Sequence, residues 1–462
     1  MTRRRLLFNY AIFVVLASLD NAAAGVLPPL YALIARDLEA NEAALGGVTA
    51  VYILILAAAA AFWGYRGDQG QRKSLLLYGT LIWGTAMCLT GLAQTYWQLL
   101  AGQLVTAVGI GCIASIGFSV VSDIVPARRR GLALSLWSIS QGIGATFGAL
   151  LASSLGAYNW RIPFFIIAAL GFLFAFLYLF TREPQRGQAE PELKPLFQSG
   201  QTYQHRITFA DLQTILNRPT NRWLILQGFF LSLAYGSTIW IPRWAIARVQ
   251  AEGYNLETAT IIGNLFVTLF GIGGFLAVPA GHWGDKWQRR NPRGRATLGA
   301  IGLLGSIPFL ILLFFLPFKG VFIPTDGSLL QISWAVIVSI VTNGWVALAF
   351  IVALIGIALF SAEGPNWAAL ITEVNLPEHR GTFVGFSRLF RAVANALSVS
   401  LTGVVISRVT AVYPAPTNYA IGLSLFQLIV IPAGLCYIFI ARTAPQDSAA
   451  VRQTLSERAK GE

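Results

Sequence analysis

The sequence predicts an all-α membrane protein of twelve transmembrane helices in two pseudo-symmetric six-helix bundles. Three observations predict it. First, 55% of the 462 residues are hydrophobic and only 11% are charged, whereas a soluble chain carries about 25% charged residues. Second, the apolar residues gather into runs of about 20, the length that crosses a bilayer core of about 30 Å. Third, a ten-residue string occurs twice: residues 64–73 read GYRGDQGQRK and residues 281–290 read GHWGDKWQRR. Each copy closes a long apolar run. A basic turn repeated at the same place in two halves marks a membrane chain built by duplication.

The runs of the first half fall at about 7–33, 45–65, 74–95, 98–124, 131–156 and 161–180. Those of the second half fall at about 223–246, 258–283, 295–318, 345–371, 381–411 and 418–441. They are too long and too apolar for barrel strands, which alternate over about ten residues. The first run follows Arg3, Arg4 and Arg5 and holds Ala22, Ala23, Ala24 and Gly25, which imitate a signal peptide and its cleavage site. The run continues to Leu33 and carries Asp20, so a retained first helix is expected.

The spans divide the chain into a first bundle, 1–180, and a second, 222–442, with a cytoplasmic tail over 443–462. Between the bundles, 181–221 is rich in Pro, Gln, Glu and Arg and reads as a flexible cytoplasmic linker. Within it, Thr208, Phe209, Ala210 and Asp211 open an amphipathic helix through Leu212, Ile215 and Leu216, expected along the membrane surface.

A second repeat supports the first. Asp123 and Arg130 recur as Glu373 and Arg380 at one common offset, larger than the offset of the ten-residue string. The difference places an insertion in the outer loop near 319–344. There Thr325, Asp326, Gly327 and Ser328 form a turn sequence between β-prone stretches, so a small hairpin is expected over 320–333. Residues 329–342 are apolar but too short to span.

The net charge is +13, with the bases in short loops. That pattern does not point to nucleic acid. Most Lys and Arg fall on the side of the N-terminus, which places both termini in the cytoplasm and suits contact with anionic membrane lipids. Cys88, Cys112 and Cys436 all lie in apolar runs and read as small buried hydrophobes, without disulfide or metal spacing. His205, His282 and His379 lie in or beside loops. No metal and no cofactor is expected.

Ionisable groups inside a membrane core cost at least about 2.5–3.5 kcal/mol, so they face a cavity or a partner. Asp20 is one. Glu363 sits about 15 Å from the end of its helix and Arg391 about 16 Å into the next, so the two share a depth. They are expected to pair, or to compete for a substrate charge, with Arg388 one turn away as a substitute. A carboxylate exposed alternately to the two sides loads and unloads a proton, and Asp20 and Glu363 are the candidates. A structural ion pair, or simple helix packing, is the alternative for each. Polar and aromatic cavity candidates are Gln103, Gln141, Gln227, Tyr235, Asn264, Asn366 and Trp367. Gln141 is the repeat mate of Arg391, and this asymmetry suits an asymmetric anionic substrate. Gly142, Gly144 and Gly148 permit close helix approach.

Gly64, Asp68, Arg72 and Lys73 match the signature loop of the major facilitator superfamily, Gly-x-x-x-Asp-x-x-Gly-Arg-Lys/Arg, with Gln71 in place of the later glycine. The chain resembles that superfamily throughout. Within it, Leu19-Asp20, residues 24–28, Gly67-Asp68, Val108-Gly109, Asp123 and Asn366-Trp367-Ala368 resemble the Spinster branch of lipid transporters, most strongly over 17–125. The chain departs from that branch at Gln103, where the family has an arginine, and at Ile110, where it has a glutamate. The family's Asp-Arg dipeptide of helix 1 is here Asp20-Asn21. The resemblance implies a cytoplasmic gate: Asp68 near the start of helix 11, Arg72 reaching Asp123, and Asp285, Arg289 and Glu373 as symmetry equivalents.

The reading is a secondary active transporter, not an enzyme. It moves an organic, amphipathic, lysolipid-like anion by alternating access, with the proton as coupling ion. A drug or metabolite exporter of the same superfamily is the alternative. A lipid-modifying membrane enzyme is a third reading, against which the chain shows no acyltransferase motif, metal cluster or nucleophile elbow. A monomer surrounded by membrane lipids is expected. Short loops without Asn-x-Ser/Thr sequons fit a bacterial inner membrane.

Overall fold

The computed structural model describes residues 3–40, 42–125, 127–156, 158–324 and 329–460. Among them are 12 helical spans long and apolar enough to cross a membrane. In order they are Ala11–Leu30, Gly47–Gln69, Arg72–Gly91, Tyr96–Ile124, Arg130–Ala152, Ile162–Leu179, Pro219–Gln250, Thr258–Arg290, Gly294–Phe315, Gly344–Val374, Arg380–Thr410 and Thr417–Lys460. No strand occurs among the described residues. The hairpin expected over 320–333 does not form. Leu329–Thr342 is a helix, because Ile332 and Val336, one turn apart, both bury in an apolar core. The expected turn at 325–328 lies outside the described residues.

Packing divides the chain into two units. One comprises 1–221 with 371–392 and 446–462; the other comprises 222–370 with 393–445. In the first unit, the first span packs on the fifth and sixth, the third on the fourth and sixth, and the second on the fourth. Gly144 and Gly148 of the fifth span lie against the Ser18 and Ala22 carbonyls, where a Cβ would collide. Gly142 meets no neighbour. The core gathers Trp83, Trp160, Phe164 and Ile167.

The polar stretch after the sixth span packs against the rest of the first unit. It contains the helical turns Pro191–Leu193 and Lys194–Gln198. It also contains the helix Phe209–Asn217, opened by a Thr208–Asp211 capping box. Leu193, Leu196 and Tyr203 bury against Leu376, Val451 and Leu455, each large apolar side chain contributing about 1.5–3 kcal/mol. Val451 and Leu455 come from the far end of the last helix, Val430–Lys460, which runs beyond its apolar part.

The second unit contains interrupted spans. The seventh carries a 3-10 segment, Gly236–Trp240, just before Pro242, and the eighth carries another, Gly271–Leu276. The tenth breaks after Ser361 and restarts as Glu363–Val374. Its core is aromatic, built on Trp244, Phe266, Phe314 and Phe318.

Candidate functional site

The densest polar chemistry lies at the signature-loop end of the first unit. Ala60, Gly64 and Asp68 stand one turn apart on the second span; Gly381 and Gly385 stand one turn apart at the start of the eleventh. A Cβ on Gly64 would strike the Gly381 carbonyl, and one on Gly385 would strike Ala60 and Ala61. The close approach delivers the Asp68 carboxylate to the open end of the eleventh helix. It accepts from the Gly381 amide at 3.3 Å and the Thr382 amide at 2.6 Å. These are among the donors a helix start leaves without internal partners, and the helix dipole favours an anion there.

Arg72 opens the third span and is fully buried. It pairs with Asp123 at 2.5 Å and Glu183 at 3.2 Å, and donates to Ser119 Oγ and the Pro184 carbonyl. Lys73 donates to the Leu179 and Thr181 carbonyls, closing the end of the sixth span. The stretch after that span then folds onto the loop. Arg186 donates to the Asp68 and Gly67 carbonyls, and the Gly187 amide donates to Asp123 at 3.0 Å. Gly187 has φ +71, a left-handed conformation that favours glycine.

Glu190 follows. Its Oε1 accepts from Arg130 at 2.5 Å and from Arg380 at 2.5 Å. Arg380 also reaches Asp123 at 3.4 Å and the Thr372 carbonyl at 2.7 Å. Burial alone would raise the Glu190 carboxyl, but Arg130 and Arg380 outweigh it and hold its pKa at about 2. Beside this cluster, Glu378 accepts from Tyr203 at 2.9 Å and pairs with Arg458 at 2.6 Å. Burial would raise Glu378 too, yet His379 and Arg458 hold it below its usual range.

The second string behaves differently. Asp285 pairs with Arg295 of the ninth span at 2.7 Å. Arg289 is exposed and Glu373 is half-buried.

The spans hold the remaining residues singled out in the sequence. Asp20 is 1% exposed. Trp83 lies near enough to interact with its carboxyl. Yet Asp20 Oδ1, Trp83 Nε1 and the Tyr52 hydroxyl complete no hydrogen bond among the described residues. Gln103 is buried and donates to Thr90 Oγ1 at 3.3 Å. In the second unit, Glu363 Oε1 accepts from Gln227 at 2.9 Å and from the Tyr437 hydroxyl at 3.0 Å. Asn366 donates to the Ala362 carbonyl at 2.8 Å, and Trp367 is buried. Arg388, Arg391 and Gln141 are half-buried, whereas Tyr235 and Asn264 are exposed.

Sequence reasoning missed Glu183, Arg186, Glu190, Arg295, Tyr437 and Arg458 as partners. One signal was available: Arg130 and Arg380 are repeat mates that open equivalent spans, and two like charges at equivalent places call for a carboxylate.

A duplicated multi-span helical chain with a signature loop at one end of each half defines a membrane transporter fold. The chain belongs to the Major Facilitator Superfamily, whose model matches residues 11–399. The relatives it matches include Spinster proteins. It is 26% identical over 344 residues to protein spinster homolog 1 of Xenopus laevis, covering 69% of this chain and 62% of that protein. It is 24% identical over 324 residues to the sphingosine-1-phosphate transporter SPNS2 of Danio rerio, covering 66% and 62%. The chain therefore spans under two thirds of these relatives' length. Among solved structures, the proton:xylose symporter XylE aligns at TM-score 0.65 and 15% identity, over 94% of this chain and 95% of that one. A bacterial homolog of the human lysosomal transporter Spinster aligns at TM-score 0.56 and 19% identity, over 97% and 99%. These likenesses establish the major facilitator fold.

Proposed function

We propose that this chain is a secondary active transporter that carries an amphipathic organic anion of lysolipid type by alternating access, coupled to protons. The observation that carries the reading is Asp20: a carboxylate buried within the first span with an oxygen that completes no hydrogen bond among the described residues. Burying such a group without function is costly, and proton uptake relieves the cost. The substrate class follows from the sphingosine-1-phosphate relative. The loop charges around Asp68, Arg72 and Asp123 act as a gate, on the cytoplasmic side by the bias of Lys and Arg, in a bacterial inner membrane.

The test is uptake of a labelled lysolipid into proteoliposomes with and without a pH gradient. Gradient-driven uptake is expected in the native protein and is lost in Asp20→Asn. Full gradient dependence in Asp20→Asn removes Asp20 from coupling. Absence of any lysolipid flux sinks the substrate class and turns attention to drug or metabolite export.

A further inference from the structure

We propose that Glu190 is a positioning residue for the gate: a single carboxylate that clamps the first turns of the fifth and eleventh spans together. The clamp makes the stretch between the bundles a working part of the gate. It rests on reading this charged end as a gate, and it adds a third component that the signature string does not contain.

The geometry is specific. Arg130 and Arg380 each form the first residue of their helices and occupy equivalent places in the repeat. Both donate to the same oxygen, Glu190 Oε1, at 2.5 Å. All three side chains are buried. Two guanidinium groups converging on one buried point repel unless an anion stands between them. Asp123 does not replace it, because its Oδ2 is taken by Arg72 and its Oδ1 already receives Gly187 and a longer contact from Arg380. Removing one member of a buried charge cluster leaves the others uncompensated, which is strongly destabilising.

Glu190 is also held in place from below. Its own amide donates to the Gly187 carbonyl at 2.9 Å. Arg186 and Gly187 are in turn bonded to Gly67, Asp68 and Asp123. The segment is thus stitched to the signature-loop carbonyls by the Arg186 side chain and to Asp123 by the Gly187 amide, and it presents Glu190 to both arginines. Parting the start of the eleventh span from the fifth requires breaking at least one of the two charge-assisted bonds on this atom, so release of the gate runs through this segment.

The experiment is hydrogen–deuterium exchange with mass spectrometry on the full chain in nanodiscs, which needs no substrate. In Glu190→Gln, peptides covering 380–388 and 130–136 are expected to exchange about tenfold faster or more, while peptides covering 294–315 stay unchanged. The effects of Arg380→Gln and Glu190→Gln combine to less than their sum, because both remove the same bond. Should Glu190→Gln not yield monodisperse protein, Glu190→Asp, too short to reach both arginines, gives the same pattern with smaller size. Unchanged exchange at 380–388 overturns the proposal, and so does a rise of equal size at 294–315. A chain that shows the clamp pattern yet moves no solute sinks the transporter reading and leaves the clamp standing.

Discussion

Gly385→Ala isolates the close contact that brings Asp68 to the eleventh span. A Cβ there would lie 2.5 Å from the Ala60 carbonyl oxygen and 2.6 Å from Ala61 Cα. Both are backbone atoms of the second span and cannot rotate away. Ordinary contact begins at 3.4 Å, so the helices must part by about 1 Å, and overpacking of this kind costs about 1–3 kcal/mol. That is about 5–150-fold in the equilibrium that holds the two segments together. The Gly381 and Thr382 amides sit one turn away and depend on the same approach for their bonds to Asp68. Hydrogen exchange over 380–388 reports them, and a rise of at least about fivefold is expected. Gly142→Ala is the control, because a Cβ there meets nothing within 4 Å. Exchange in Gly385→Ala within about twofold of the native rate, with Gly142→Ala equally silent, would falsify the argument that backbone contact sets the position of Asp68.

Arg458→Ala removes the 2.6 Å bond to a buried Glu378; the arginine is itself 21% exposed. The loss falls between about 1 kcal/mol for an exposed pair and about 3–5 for a buried one. Peptides covering 446–460 should lose exchange protection, and unchanged protection there means the tail docks through its apolar residues alone. Tyr437→Phe deletes a donor to Glu363 and should lower unfolding stability by about 1–3 kcal/mol; an unchanged unfolding midpoint refutes a structural part for that hydroxyl. Glu190 has its pKa depressed from 4.5 to about 2, so its stabilising effect is full above pH 4.5 and fades as pH falls toward 2. The stability gap between native protein and Glu190→Gln should therefore be flat from pH 6 to 8 and shrink below pH 4.5. A gap that varies across neutral pH contradicts the ionised clamp.

The spans were legible because crossing a bilayer demands about 20 apolar residues in a row, a signal carried locally. The proposed gate was half legible. Asp68 and Arg72 stand in the recurring string and Asp123 in the second repeat, and the structure brings Arg72 to Asp123. Glu190 was not legible, because a carboxylate in a Pro- and Gln-rich stretch looks solvated. Its partners lie far away in sequence, at Arg130 and Arg380, and no periodicity reports such a pairing. Residues 320–333 misled for a different reason. Their β-prone composition is real, but burial of Ile332 and Val336 decides the outcome, and helix spacing puts both on one face. The tail shows the same logic. Val451 and Leu455 are four residues apart in a polar sequence, and two apolar positions cover a partner only once Leu193, Leu196 and Leu376 are present.

The duplicated string suggests two equivalent loops, but one segment alone joins the halves, and it folds onto the first. The first copy is engaged by groups far along the chain: Asp68 by the start of the eleventh span and Arg72 by Glu183, with Asp123, the partner of Arg72, engaged by Gly187. The second copy finds Arg295 for Asp285 just beyond its own loop. The difference has a physical origin in connectivity. A chain made of two six-span halves has two signature loops but one segment joining the halves. That segment supplies Glu183, Arg186 and Glu190, and it lies beside the first loop because it leaves the sixth span there. Its single clamp carboxylate takes both repeat mates, Arg130 and Arg380, so the anion that would serve each half separately serves them jointly. Symmetry in the sequence therefore yields an asymmetric charge cluster, in which the joining segment supplies the carboxylate that both repeat mates share.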